Sequence, residues 1–332
     1  MKESKKIAVI GGGSWATALV KILCNNVSSV NWYMRNEGAV AHILKFRHNP
    51  NYLQSVEFDL NKINVSTNLE EMIRPADIVI IATPSAFLVK LFENFPTELL
   101  RNKVVFSAVK GIIPEYHAIP ARFIHKTFDT PYDNIGIICG PCHAEEVAME
   151  RLSYLTIACQ DEDVSEEMAD LLSCRYIKTT VSDDLFGTEI SAVLKNVYSI
   201  ASGICSGLGY GDNFQAVLIS SAIQEIENLI DEMSPIHRDV KSSAYLGDLL
   251  VTAYSKFSRN RSFGYMIGKG YSVKTAQLEM DMVAEGYYAT KSVMEIKKKF
   301  QVEMPIVEAV HNILYERISP MIEMRILTDK LN

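Results

Sequence analysis

The sequence predicts an α/β N-terminal domain with a parallel-rich sheet, followed by an all-α C-terminal domain. Three observations carry that expectation. Short apolar runs alternate with helical patterns through the first half of the chain. The first of those runs ends in three consecutive glycines. Strand signals stop near Asp183, and long helical patterns fill the remainder.

Taken in order, the runs Ile7–Ile10, Val30–Met34, Asp77–Ala82, Val104–Val109, Ile135–Cys139 and Tyr154–Cys159 are apolar on both faces. That is the pattern of strands covered on both sides. Helical patterns at Ser14–Cys24, Asn68–Ile73, Ser85–Phe95 and Val164–Ser173 lie between several of them, which gives the strand–helix alternation of a parallel sheet. The later patterns are Leu185–Ser202, Asn213–Glu232, Ser243–Phe257, Tyr287–Phe300 and Ile306–Glu316. A boundary near residues 183–190 follows. It separates an α/β domain, 1–186, from a helical domain, 187–332.

Composition narrows the function classes. The chain has 332 residues, 48% hydrophobic and 22% charged, enough apolar content for a sizeable core. Its net charge of −7 argues against an extended cationic face for nucleic acid, although a local basic pocket for a small anion is compatible with it. No apolar run reaches the roughly 18–20 residues of a membrane span. The N-terminal apolar segment, Ile7–Ile10, is too short for a signal peptide, and six cysteines do not make a disulfide scaffold. A cytoplasmic protein is expected.

Gly11-Gly12-Gly13-Ser14-Trp15-Ala16 stands directly after the first strand and opens the first helix. Glycines there make a tight turn and let backbone approach a pyrophosphate, while the helix N-terminus offers free N–H groups. On the first strand–turn–helix of an alternating domain, this marks a Rossmann-type dinucleotide site. The second strand exits at Arg35, where an acidic residue would accept the ribose 2′-hydroxyl of NAD. An arginine suits a 2′-phosphate instead. NADP(H) is therefore expected to be preferred, with NAD(H) as the alternative that neighbouring Glu37 keeps open.

Between Lys178 and Arg238 the only cation from lysine or arginine is Lys195, flanked by Leu194 and Val197. Burial lowers a lysine's pKa and makes it a usable general acid and base. A lysine snorkelling to the surface is the plainer reading. Asp248 and Thr252, four apart in an apolar stretch, can share a helical face, and a buried carboxylate needs a partner that Lys195 can supply. Ser258-Arg259-Asn260-Arg261 concentrates donors in a turn-like stretch and suits a phosphate, or is simply a solvated loop. Cys139-Gly140-Pro141-Cys142 has thioredoxin-like spacing, but no second pair of ligands accompanies it for zinc, and no metal site is expected.

Together these residues resemble the NAD(P)-dependent glycerol-3-phosphate dehydrogenases, most closely the bacterial type. The resemblance rests on the glycine turn with Ser14 and Trp15, Lys110-Gly111, Gly140-Pro141 with Ala144 and Glu146, and Lys195-Asn196. It continues through Gly247-Asp248-Leu249 with Thr252, Ser258-Arg259-Asn260-Arg261, Glu285-Gly286 and Met304-Pro305-Ile306. It implies reversible NAD(P)H-dependent reduction of dihydroxyacetone phosphate to sn-glycerol 3-phosphate, a precursor for glycerophospholipid synthesis. By the same resemblance Lys195 is the catalytic acid and base. Substrate contacts would come from Lys110, Gly140, Cys142, Lys195, Asp248, Thr252, Ser258, Arg259 and Asn260. Cofactor contacts would come from Gly11, Gly13, Ser14, Trp15, Arg35, Lys110, Ala144, Arg259, Val283 and Glu285. A small phosphorylated substrate, no nucleic acid, no membrane insertion and self-association as a homodimer complete the expectation. Two departures stand out: Ala16 in place of a third glycine, and Cys142 where the family usually carries serine or threonine. A carboxylate-specific β-hydroxyacid dehydrogenase, a non-catalytic dinucleotide sensor and a thiol redox protein are the competing readings.

Overall fold

The computed structural model describes residues 5–280 and 284–331. The chain divides into two compact units, residues 1–109 with 120–185, and residues 110–119 with 186–332. The linear boundary expected from sequence thus misses one exchange, because the segment 110–119 belongs with the helical unit.

The first unit is built on one eight-stranded sheet. Its strands are β1 (Ile7–Ile10), β2 (Val30–Tyr33), β3 (Ile63–Ser66), β4 (Ile78–Ile81), β5 (Val104–Ser107), β6 (Ile135–Cys139), β7 (Ser153–Cys159) and β8 (Ile177–Ser182). They lie in the order β3-β2-β1-β4-β5-β6-β7-β8. All neighbours are parallel except β6 and β7, which a connection containing only the short helix Ala144–Ala148 joins as an antiparallel pair. Central strands β1 and β4 are buried along their whole length, as a sheet covered on both faces requires.

Strand order reverses between β1 and β4, so the crevice beyond their C-terminal ends is the switch point at which open α/β sheets take ligands. Gly11 stands there with φ +147°, and a Cβ on it would come within 2.5 Å of the Ala82 carbonyl oxygen, just past β4. Only glycine fits that position. The reading from sequence overlooked β3 and β8, both edge strands, together with helices including Glu37–Phe46 and Pro120–Phe128. It also made Ser85–Phe95 one helix, where a 3₁₀ turn (Ser85–Phe87) leads into a single short turn of α-helix, Leu88–Leu91.

The second unit is helical. Its longest elements, Leu185–Leu208 and Asp212–Met233, both contribute to the core, and Glu285–Phe300 and Pro305–Leu314 pack onto each other. The stretch read as a donor-rich turn is in fact a helix, Arg259–Gly268, capped by Ser258. Glycines let it approach the long helix Leu185–Leu208 backbone to backbone. A Cβ on Gly264 would lie 2.1 Å from the Ile200 carbonyl oxygen, and one on Gly203 would lie 2.1 Å from that of Arg261. Side chains of any size would push the two helices apart.

Candidate functional site

The glycine turn of the first unit fits an anionic ligand. Gly13 is the N-cap of the helix Ser14–Leu23, and no side chain caps it. Among the described residues nothing lies within 4 Å of where a Cβ on Gly13 would stand, which leaves room for an approaching group. The first-turn N–H groups of a helix and the helix dipole favour a phosphate at such a place. Ser14 is buried at the start of this helix, and Trp15 is partly buried against the core. Arg35 is exposed beyond β2, its guanidinium 5.9 Å from the centre of the Phe87 ring. Phe87, 41% exposed on the 3₁₀ turn after β4, escaped the reading from sequence because one aromatic in an apolar stretch looks like core. Glu37 is exposed in the first turn of the next helix.

Gly140, Cys142 and Ala144 follow β6. Gly140 has φ +109°, and a Cβ there would come within 2.9 Å of the Tyr154 carbonyl oxygen. Cys142 and Ala144 are buried, the latter opening the helix Ala144–Ala148. Cys139 is buried at the end of β6, and its Sγ–H donates to the Thr156 carbonyl oxygen at 3.5 Å.

The second unit assembles the charged centre. Lys195 is buried, its side chain 5% exposed, on the helix Leu185–Leu208. Its ammonium is paired with the Asp248 carboxylate, which is still more deeply buried. The Lys110 ammonium stands 3.9 Å from the second carboxylate oxygen. Burial is the largest influence on Lys195 and, with the like charge of Lys110, lowers its pKa to about 8 against the opposing pull of Asp248. Asp248 is placed by a wide π turn, Ser243–Gly247, that leads directly into its helix, Asp248–Tyr254. Thr252 lies one turn on, and its hydroxyl donates to the Asp248 carbonyl oxygen at 2.7 Å.

A chain of amides braces this centre. Gly286 N–H donates to Asn260 Oδ1 at 2.9 Å, Asn260 Nδ2 donates to Asn196 Oδ1 at 2.9 Å, and Asn196 Nδ2 donates to the Lys110 carbonyl oxygen at 2.6 Å. The segment carrying Lys110 is thereby tied to the lysine-bearing helix. Ser258 and Asn260 are buried. The Ser258 hydroxyl takes the Arg261 N–H and meets the Ser199 hydroxyl at 2.8 Å. Of the three donors expected to grip phosphate, only Arg259 is exposed. Glu285 opens the helix Glu285–Phe300, and Val283 lies outside the described residues.

Sequence reasoning also missed Glu225. Buried on the helix Asp212–Met233, it accepts from the Ile306 N–H at 2.6 Å and from the Tyr198 hydroxyl at 3.1 Å. It reads as one more acid in an amphipathic helix. Its partner is the N-terminus of a helix some 80 residues on, whose N1 residue is Pro305.

A glycine turn at a sheet switch point and a buried lysine paired with a carboxylate suit the chemistry of nucleotide-dependent dehydrogenases. Models of the N-terminus and the C-terminus of NAD-dependent glycerol-3-phosphate dehydrogenase match residues 6–165 and 184–325 respectively. The chain belongs to that family, and is an NAD(P)-dependent oxidoreductase. Glycerol-3-phosphate dehydrogenase (NAD(P)+) of Staphylococcus carnosus strain TM300 is 33% identical over 314 residues, 94% of either protein. Its counterpart in Staphylococcus aureus strain JH9 is 35% identical over 315 residues, 95% of either. The crystal structure of a glycerol-3-phosphate dehydrogenase from Coxiella burnetii superposes with a TM-score of 0.89 at 26% identity, covering 98% of this chain and 99% of that one. No helix among the described residues is long and apolar enough to cross a membrane.

Proposed function

We infer that Lys195 is the acid and base of the reaction this enzyme carries out, the reversible NAD(P)H-dependent reduction of dihydroxyacetone phosphate to sn-glycerol 3-phosphate. The buried Lys195–Asp248 pair, with Lys110 beside it, is the observation that carries the reading. A pKa of about 8 leaves Lys195 mostly protonated at neutral pH yet able to release its proton.

The glycine turn, Ser14 and Arg35 would hold the dinucleotide, with Trp15, Ala144, Val283, Glu285 and the Lys110 and Arg259 side chains as further contacts. When bound, the reduced nicotinamide supplies the hydride. The Lys195 ammonium hydrogen-bonds the substrate carbonyl oxygen and gives up its proton there as negative charge develops. Lys110 adds a second positive charge toward that oxygen, and Asp248 keeps both ammonium groups oriented. In the oxidative direction neutral Lys195 takes the hydroxyl proton. Arg259 is the main charge for the substrate phosphate, with Ser258 and Asn260 holding the start of its helix in place. Remote phosphate binding then orients the reacting carbon. Gly140, Cys142 and Thr252 complete the substrate contacts, with NADPH preferred through Arg35.

The product supplies the glycerol phosphate backbone for glycerophospholipid synthesis, and a homodimer working in the cytoplasm is part of the same reading. Following absorbance at 340 nm with NADPH or NADH while adding dihydroxyacetone phosphate tests it. Substrate-dependent oxidation is expected. Turnover of a carboxylate substrate alone would favour a β-hydroxyacid dehydrogenase instead.

A further inference from the structure

The three carbonyl oxygens of the glycine turn each accept a hydrogen bond from a buried side chain that plays no part in the reading above. The Trp32 Nε1–H, from the buried middle of β2, donates to the Gly11 carbonyl at 2.7 Å. Asn49 Nδ2 donates to the Gly12 carbonyl at 3.1 Å and to the Thr17 hydroxyl at 2.9 Å. The Thr17 hydroxyl in turn donates at 2.9 Å to the Gly13 carbonyl, which also takes the Thr17 backbone N–H at 3.0 Å as the first bond of the helix. Trp32, Asn49 and Thr17 are all fully buried. Asn49 leaves no capacity idle on its acceptor side either, since its Oδ1 takes the N–H groups of Asn51 at 3.0 Å and Tyr52 at 3.3 Å.

In a trans peptide the C=O and the following N–H point in opposite directions. Fixing the carbonyls of Gly11, Gly12 and Gly13 toward the core therefore fixes the N–H groups of Gly12, Gly13 and Ser14 away from it. Those are the groups that an anion at this helix N-terminus would meet. A glycine turn left to itself samples many orientations, and ordering it on binding would cost conformational entropy.

We propose that Trp32, Asn49 and Thr17 are positioning residues that pre-set the glycine turn for the dinucleotide pyrophosphate, with Asn49 as the central member. The proposal rests on the reading of that turn as the cofactor's anion site. Asn49 belongs to a stretch far along the chain from the turn, so no local motif discloses the link.

The test uses the full-length protein. Asn49→Asp keeps the shape and the two acceptor contacts to Asn51 and Tyr52 but removes both donors, and it sets a carboxylate against the Gly12 carbonyl. It should raise the NADPH dissociation constant and KM by about ten- to a hundredfold, the range expected for losing hydrogen bonds to a charged group. The kcat at saturating cofactor and the KM for dihydroxyacetone phosphate should stay within about threefold of wild type. Thr17→Val, which keeps the shape and drops the hydroxyl, should raise the same constant about three- to tenfold and serves should the first variant fail to fold. A purely structural role would lower the unliganded melting temperature and leave cofactor affinity of the folded protein unchanged, and that result overturns the proposal. Gly13→Asp separates the underlying reading, because its side chain enters open space, suits an N-cap and repels a pyrophosphate. If Gly13→Asp binds NADPH normally, the turn is not the anion site. If it abolishes binding while Asn49→Asp and Thr17→Val do not weaken it, the turn is the site and the anchor proposal alone fails.

Discussion

Asp248→Asn isolates the electrostatics of the charged centre without changing its shape. In the native protein burial drives the Lys195 pKa down, the Asp248 carboxylate opposes that, and the balance lies at about 8. Removing the carboxylate leaves burial and the positive charge of Lys110 acting together, and buried lysines without a partner titrate near pH 5–6. With a pKa of about 8 roughly three quarters of the enzyme carries the ammonium at pH 7.5, whereas with a pKa of about 6 only about 3% does, following the reference titration relation. Reduction should therefore slow about 25-fold at pH 7.5 from protonation alone. The assay is kcat for dihydroxyacetone phosphate reduction at saturating NADPH from pH 5.5 to 9. Wild type should lose activity above about pH 8. The variant's falling limb should move to lower pH by about two units, and much of the lost rate should return at pH 5.5. An unshifted limb, or a uniform loss at every pH, would refute the idea that Asp248 sets the protonation of Lys195.

Three further expectations follow from single residues. Arg259→Ala should cut kcat/KM for dihydroxyacetone phosphate by about a hundredfold, the cost of a charge-assisted contact, and leave turnover of unphosphorylated dihydroxyacetone nearly unchanged. Equal proportional losses on both substrates would show that Arg259 does not read the phosphate. Arg35→Asp should reduce the preference for NADPH over NADH by about tenfold or more, acting on the KM for NADPH; an equal loss with both cofactors would make Arg35 an ordinary surface residue. Glu225 has its pKa pushed up to about 8, because burial outweighs the backbone N–H bonds and the Tyr198 hydroxyl that favour its anion. A raised folded pKa means its contribution to stability is complete below about pH 4.5 and drains away as pH climbs to about 8. Wild type should accordingly lose melting temperature relative to Glu225→Gln across that window, and a constant offset from pH 5 to 9 would contradict the assignment.

What the sequence discloses depends on where a residue's partners lie. Central strands β1, β4 and β6 are buried on both faces, and such strands are unbroken apolar runs that anyone can find. The edge strands β3 and β8 expose a face, and Lys178, Thr179 and Thr180 in β8 interrupt its apolar character. A search for doubly buried strands passes over them. Lys195 was legible because an isolated cation in an apolar helix is costly unless it is paired, and Asp248 because a buried carboxylate demands a partner. Ser258 was read as a ligand donor when its chief structural task is to cap a helix, since serine at an N-cap and serine at a phosphate look alike in one dimension. Asn49, Trp32 and Glu225 act through contacts set by tertiary folding, and nothing within a few residues of them signals it.

The central claim is that Lys195 moves the proton in carbonyl reduction, and Lys195→Met tests it most directly. The measurement is kcat for dihydroxyacetone phosphate with saturating NADPH, taken beside NADPH binding to the same folded variant. Loss of a general acid should lower kcat by about 10²–10⁴-fold while the NADPH dissociation constant stays within about twofold of wild type. A variant that retains kcat within about tenfold of wild type, with its fold and cofactor affinity intact, would contradict the account.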